Sequence, residues 1–186
     1  MCKIISISNR QLASDFENRI KEILDLGITV ILREKDLTAD EYFALAKRII
    51  SFGGDVILHS FTNEAKKLGH KKIHLPMSAL ENTDISGFEV VGASVHSKEE
   101  AIRAQALGAT YVIAGHIFET DCKKGVPPRG LDYLKEICES VQIPVFAIGG
   151  ITPDNFNLVI EAGASGACIM SGLMRCKNPE EFIRSF

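Results

Sequence analysis

Short apolar runs alternate with helix-patterned segments along the whole chain, and that alternation narrows its possible folds more than any other feature. Strand-like runs fall at residues 3–6, 29–32, 55–58, 72–74, 90–94, 111–114, 145–148 and 166–170. Several, such as Tyr111-Val112-Ile113-Ala114, are continuously apolar. Parallel strands covered on both faces need that pattern, whereas a half-solvated sheet needs strict alternation.

The segments between them carry helical spacing. Residues 12–26 set Phe16, Ile20, Ile23 and Leu24 on one face and stop at Gly27. Thr38 with Glu41 reads as a capping box ahead of a stripe of Phe43, Ala46, Ile49 and Ile50, ended by Gly53-Gly54. Ser97 with Glu100 repeats the signal before Ala101, Ala104 and Leu107, closed by Gly108. Residues 131–141 and 154–162 form two more helices, and 179–186 a short final one; 78–87 holds only a short helix or turn. Eight strand–helix units predict an α/β chain folded as one compact (β/α)8 barrel domain over residues 1–186. A doubly wound open sheet is the runner-up. Such barrels typically run to about 250 residues, so connections here must be tight.

Composition excludes several function classes. Hydrophobic residues make up 46% and charged residues 24%, with a net charge of −3, so no basic excess points to nucleic acid or an anionic membrane. No apolar run reaches the roughly 18 residues of a membrane span, and residues 1–7 lack a signal-peptide pattern. Five cysteines with no Cys-x-x-Cys pair argue against a disulfide framework or structural zinc. A cytoplasmic protein with free thiols is expected.

In a barrel of this kind the strand C-termini carry the site, often with phosphate held after strands seven and eight. Gly149-Gly150-Ile151 and Ser171-Gly172 lie there, each opening a helix, where bare backbone N–H groups approach an anion. At the end of strand two, Arg33 and Lys35 share one face by the two-residue strand period. The loop Gly115 to Gly125 gathers His116, Glu119, Thr120, Asp121, Cys122, Lys123 and Lys124 directly after strand six.

These segments together resemble the thiamine-phosphate synthase superfamily. The matching pieces are Leu32-Arg33-Glu34-Lys35, Ile73-His74-Leu75, Gly92-Ala93-Ser94-Val95-His96, Gly108-Ala109-Thr110-Tyr111-Val112, Phe146-Ala147-Ile148-Gly149-Gly150-Ile151 and Gly163-Ala164-Ser165-Gly166. The resemblance implies a compact barrel that binds a thiazole phosphate. It offers two activities. Synthases join a pyrimidine pyrophosphate to a thiazole phosphate with magnesium, and TenI-type tautomerases aromatise a carboxythiazole phosphate. Synthases carry Asn-Asp after strand three and an Asp after strand four; this chain has His59-Ser60 and Ala79 there. Magnesium favours carboxylate oxygens. Where synthases have Gly-Pro after strand six, this chain has Gly115-His116, and Cys122 replaces a Thr.

The TenI branch is therefore expected: an isomerase, a thiazole tautomerase needing no cofactor. The resemblance gives His116 as the acid–base residue. It gives Arg33, Lys35, Ser94, Thr120 and Lys123 as substrate contacts, and Gly149, Gly150, Ile151, Ser171 and Gly172 as the phosphate site; His59 matches neither branch and is a candidate substrate contact from its place at the end of strand three. His59 faces the mouth and is a candidate to share catalysis. His96 is within reach of a ligand. His74 and His70 read as structural or surface residues, and Tyr111 and Phe118 as core or wall. The ligand is a small thiazole phosphate, with neither nucleic acid nor membrane as partner; a homodimer rests on analogy alone. Two alternatives stay open, a magnesium-dependent thiamine-phosphate synthase and a non-catalytic regulator that binds a phospho-ligand.

Overall fold

The computed structural model describes residues 3–186; Cys2 and the first residues of the N-terminal signal reading lie outside them. Eight parallel strands close into a (β/α)8 barrel in sequence order. They are β1 (Lys3–Ile7), β2 (Thr29–Leu32), β3 (Val56–His59), β4 (Lys72–Pro76), β5 (Val90–Val95), β6 (Tyr111–Gly115), β7 (Val145–Ile148) and β8 (Gly166–Ile169). β8 pairs back onto β1, with Ile5 beside Cys168, and this closes the ring. The doubly wound alternative is thereby excluded.

Helices α1 (Phe16–Asp25), α2 (Ala39–Ser51), α3 (Thr62–Lys67), α4 (Met77–Leu80), α5 (Lys98–Ala106), α6 (Gly130–Ser140), α7 (Pro153–Glu161), α8 (Ser171–Arg175) and α9 (Pro179–Arg184) surround it. The two-residue strand period divides the core into two clusters. Ile5, Ile7, Ile31, Ile57, Tyr111, Ile113, Phe146 and Cys168 fill the barrel interior. Alternate residues such as Val30, Leu58, Ile73 and Val112 pack outward against the helices.

Local signals account for most boundaries. Thr38 and Glu41 form the expected reciprocal box at α2. At α5, Ser97 accepts from the Glu100 N–H, but the Glu100 carboxylate reaches one residue further back, to the His96 N–H. The buried face of α2 is Tyr42, Leu45, Ala46 and Ile49, not the predicted Phe43, Ala46, Ile49, Ile50 stripe. The difference comes from Tyr42, whose hydroxyl donates to the Leu32 carbonyl and accepts from the His59 N–H, tying the helix to β2 and β3. Helix α3 has no apolar periodicity to announce it, because Thr62–Lys67 has a single apolar residue, Ala65. Cys122, Cys138, Cys168 and Cys176 are free thiols. No helix among the described residues is long and apolar enough to cross a membrane.

Candidate active site at the barrel mouth

The segment after β2 sorts its charges by alternation. Glu34 is buried and turned toward the β1 side, where it accepts from the Ser8 hydroxyl and the Arg10 N–H. Asp36 is held by Arg10 and Gln11. The Ser8 hydroxyl also accepts from the Arg33 N–H at 2.8 Å, which fixes the turn. Arg33 and Lys35 lie on the other side. Among the described residues no carboxylate pairs with either, or with Lys123. Partial burial lowers the Lys35 ammonium pKa, helped by repulsion from Arg33 and Lys123. Arg33 and Lys35 thus share one electrostatic neighbourhood with Lys123, which is distant in sequence. Such an uncompensated cluster costs stability unless an anionic ligand answers it.

Below the cations lies a buried polar chain. His59 ends β3 with its Nδ1 2.8 Å from the Ser60 hydroxyl, and its ring stacks on that of His74 at 5.6 Å. His74 Nδ1 lies 3.0 Å from the Tyr111 hydroxyl and Nε2 2.8 Å from Ser94 Oγ. His74 is thus neither a surface residue nor a mere filler. It joins β4, β5 and β6 inside the barrel. The sequence signal was present in its odd-numbered neighbours: Ile73 and Leu75 pack outward, so His74 must point inward.

Burial pushes both imidazoles far below their ordinary range, His74 to about 3, and repulsion from Arg33 and Lys35 adds to it. Both rings are neutral in the fold, while in the unfolded chain they titrate near 6.5. The unfolded chain therefore binds more protons below that value. Stability is full above about pH 6.5 and falls as pH drops from there toward the folded-state values. His70, also depressed by burial, adds the same sign. Two buried rings contribute a loss of roughly 2 kcal/mol each by pH 5. Thermal unfolding at pH 7.5 and 5.0 tests this, and equal midpoints would show that the rings are charged in the folded state.

The loop after β6 leans on the turn after β7. Ile117 and Phe118 donate backbone N–H groups to the Ile148 and Gly149 carbonyls. Gly149 and Gly150 both have positive φ, and a Cβ at Gly150 would lie 2.2 Å from the Glu119 carbonyl oxygen. This glycine pair is required by a close approach of two backbones as well as by any anion. At the second turn, a Cβ on Gly172 would meet the Phe182 ring at 2.6 Å, so that glycine has a packing reason of its own. Ser171 opens the five-residue α8. Ile151 lies between Gly150 and Thr152, whose N–H donates to Asn155 at the start of α7.

Within the loop, His116 Nε2 lies 3.2 Å from the Val126 carbonyl oxygen, a contact that spans the loop. Thr120 accepts from the Cys122 N–H, opening a short 3-10 turn that carries Lys123. His96 Nδ1 faces the Gly115 carbonyl, and His70 Nε2 the Val56 carbonyl. Cys122 is exposed.

Two carboxylates that the resemblance implies for magnesium are replaced. Ser60 and Ala79 stand at the two positions where the resemblance calls for aspartates. Among the described residues no group of three or more His, Cys, Asp or Glu side chains could hold a metal. Glu34 and Asp36, the nearest acids in sequence to Arg33 and Lys35, are taken up by Ser8, Arg10 and Gln11.

Comparison with known proteins is consistent along the chain. The family model described as thiamine monophosphate synthase matches residues 4–173. A thiamine-phosphate synthase of Clostridium acetobutylicum is 30% identical, over 98% of this chain and 92% of its own length. One from Pyrococcus furiosus is 32% identical over 92% and 86%. The solved thiamine phosphate pyrophosphorylase from Pyrococcus furiosus superposes with a TM-score of 0.83 at 29% identity, covering 99% of this chain and 93% of that one. These relatives correct the expected branch. They bear the synthase name, so the TenI assignment, the tautomerase reaction and the isomerase class are withdrawn. Four replacements, Ser60, Ala79, His116 and Cys122, favour the other branch, but they are outweighed by a similarity to synthases that runs along the chain. His116 shows why such a replacement discriminates poorly: its side chain has a local partner in Val126 that owes nothing to a reaction.

Proposed function

This chain belongs to the thiamine monophosphate synthase family, and we propose that it is a transferase of that family, a thiamine-phosphate synthase joining a pyrimidine pyrophosphate to a thiazole phosphate. The observation that carries the reading is the convergence of Arg33, Lys35 and Lys123, without carboxylate partners among the described residues, on one side of the mouth. Joining the two substrates displaces pyrophosphate. The thiazole forms a bond to the carbon that carries the pyrophosphate as that carbon's bond to the pyrophosphate's ester oxygen breaks, and the electron pair leaves on the anion. Cations already gathered where that charge develops stabilise it without reorganising during the reaction. The second substrate's phosphate suits the Gly149-Gly150 turn and the start of α7.

The family resemblance carries magnesium with it, but Ser60 and Ala79 supply no carboxylate, and it is the chain's own cations that face the anion. Arg33 and Lys35 hold it, and the loop carrying Thr120 and Lys123 closes over it. Ser94 contributes a hydroxyl to the leaving group, and His59 lines the wall beside the cations.

The test is direct. Purified protein incubated with the pyrimidine pyrophosphate and the thiazole phosphate, in buffers with and without magnesium, should form thiamine phosphate detectable by chromatography. No product in either buffer would remove the synthase reading.

A further inference from the structure

The polar chain inside the barrel has a direction that its hydrogen bonds dictate. Tyr111 is buried, and among the described residues the one hydrogen-bond partner of its hydroxyl is His74 Nδ1, at 3.0 Å. A neutral imidazole carries a single N–H. Were that proton on Nδ1, the Tyr111 oxygen would accept it, and the phenol hydrogen would be left buried with no acceptor. An orphaned buried donor is costly. The phenol must therefore donate to Nδ1, which leaves the proton on Nε2, facing Ser94 Oγ at 2.8 Å. Ser94 Oγ accepts that N–H, and its own hydrogen has no acceptor among the described residues. Ser94 is half-buried near the C-terminal end of β5, where the barrel opens.

The backbone is cut to fit this contact. A Cβ at Gly92 would lie 2.3 Å from the Tyr111 hydroxyl and 2.4 Å from His74 Nδ1. Only a bare residue between β4 and β6 lets the phenol and the imidazole meet.

We propose that Tyr111 and His74 are positioning residues. Tyr111 fixes His74 as its Nε2–H tautomer, and His74 in turn fixes the Ser94 hydroxyl as a donor aimed into the mouth, where the phosphate oxygens of the substrate accept it. The ligand-facing half of this statement rests on the synthase reading above; the hydrogen-bond direction does not. It makes Ser94 selective for acceptors, as a leaving pyrophosphate is, and unsuited to a donor group at the same place.

Two measurements test it. Nitrogen-detected NMR of histidine-labelled protein at pH 7.5, with the His74 signals assigned by their loss in His74→Gln, should show Nδ1 unprotonated and Nε2 protonated. The opposite tautomer, or an imidazolium, would overturn the proposal. Calorimetric binding of inorganic pyrophosphate gives the second. Ser94→Ala should weaken it about tenfold and Tyr111→Phe several-fold, with the double variant no weaker than Ser94→Ala alone. Additive losses would mean that Tyr111 acts through packing, and would also overturn it. Should Tyr111→Phe not fold, the tautomer of the wild-type protein still decides. Wild-type protein that binds no pyrophosphate would sink the reading of the mouth, while the tautomer would separately settle the direction of the chain.

Discussion

Arg33→Ala lowers kcat/KM for thiamine-phosphate formation by between about tenfold and a hundredfold, with no loss of thermal stability. The catalytic half of that expectation follows from what the guanidinium has to bind. Its backbone N–H is anchored on Ser8 Oγ, yet no carboxylate meets its side chain among the described residues. A charge-assisted hydrogen bond to an anion contributes about 1.5–3 kcal/mol, and here it would form with a leaving group whose charge grows along the reaction. Such an interaction is stronger in the transition state than in the ground state, so the loss should appear in kcat as well as KM. The stability half follows from repulsion. Arg33 depresses Lys35 and both buried histidines, so its removal relieves like charge at the mouth. The midpoint of thermal unfolding should hold or rise slightly. Full activity in the Arg33→Ala protein would mean that the cation cluster does not meet the pyrophosphate. A fall in both activity and midpoint would mean that Arg33 serves the fold.

The same segment shows what the sequence disclosed and what it hid. The strands were readable because burial on both faces leaves an unbroken apolar run; 29–32 and 145–148 coincide with β2 and β7. The two-residue period put Arg33 and Lys35 on one face, and in the fold both repel the buried histidines. The α2 face was misjudged by one position because hydrophobicity ranks Phe43 above Tyr42, whereas the hydroxyl of Tyr42 finds two backbone partners and so favours burial. The partners of His74 were hidden for a related reason. A histidine between Ile73 and Leu75 carries no mark of its partners, Tyr111 and Ser94, which stand 37 and 20 residues away. The reaction was harder still. The residues that separate chemistries on this scaffold are few, and two of them share one loop: the His116 ring has a local partner in the Val126 carbonyl, and Cys122 is held by a backbone N–H that any residue would supply.

That loop and the turn beneath it behave as one unit, and Gly150→Ala exposes the dependence. Gly150 has φ +65°, a conformation that costs an alanine about 1–2 kcal/mol by itself. The added Cβ would also lie 2.2 Å from the Glu119 carbonyl oxygen and 2.8 Å from Phe118 Cβ. Neither is the free end of a flexible side chain, so the loop backbone must move. A total cost of about 3 kcal/mol or more is expected, which for a chain of this size lowers the unfolding midpoint by roughly 6–12 °C. Gly53→Ala separates the two contributions. Gly53 has φ +79° but nothing within 4 Å of a built Cβ, so it should lose only the conformational part and keep full activity. The excess in Gly150→Ala then measures the close approach of the two backbones. Displacing residues 117–119 carries Thr120 and Lys123 away from the mouth, so activity should fall well beyond what the lost stability explains at a temperature where the variant is still folded. Hydrogen exchange at the Ile117 and Phe118 amides, bonded to Ile148 and Gly149, should accelerate in Gly150→Ala and not in Gly53→Ala. Equal exchange in the two variants would show that the turn does not hold the loop.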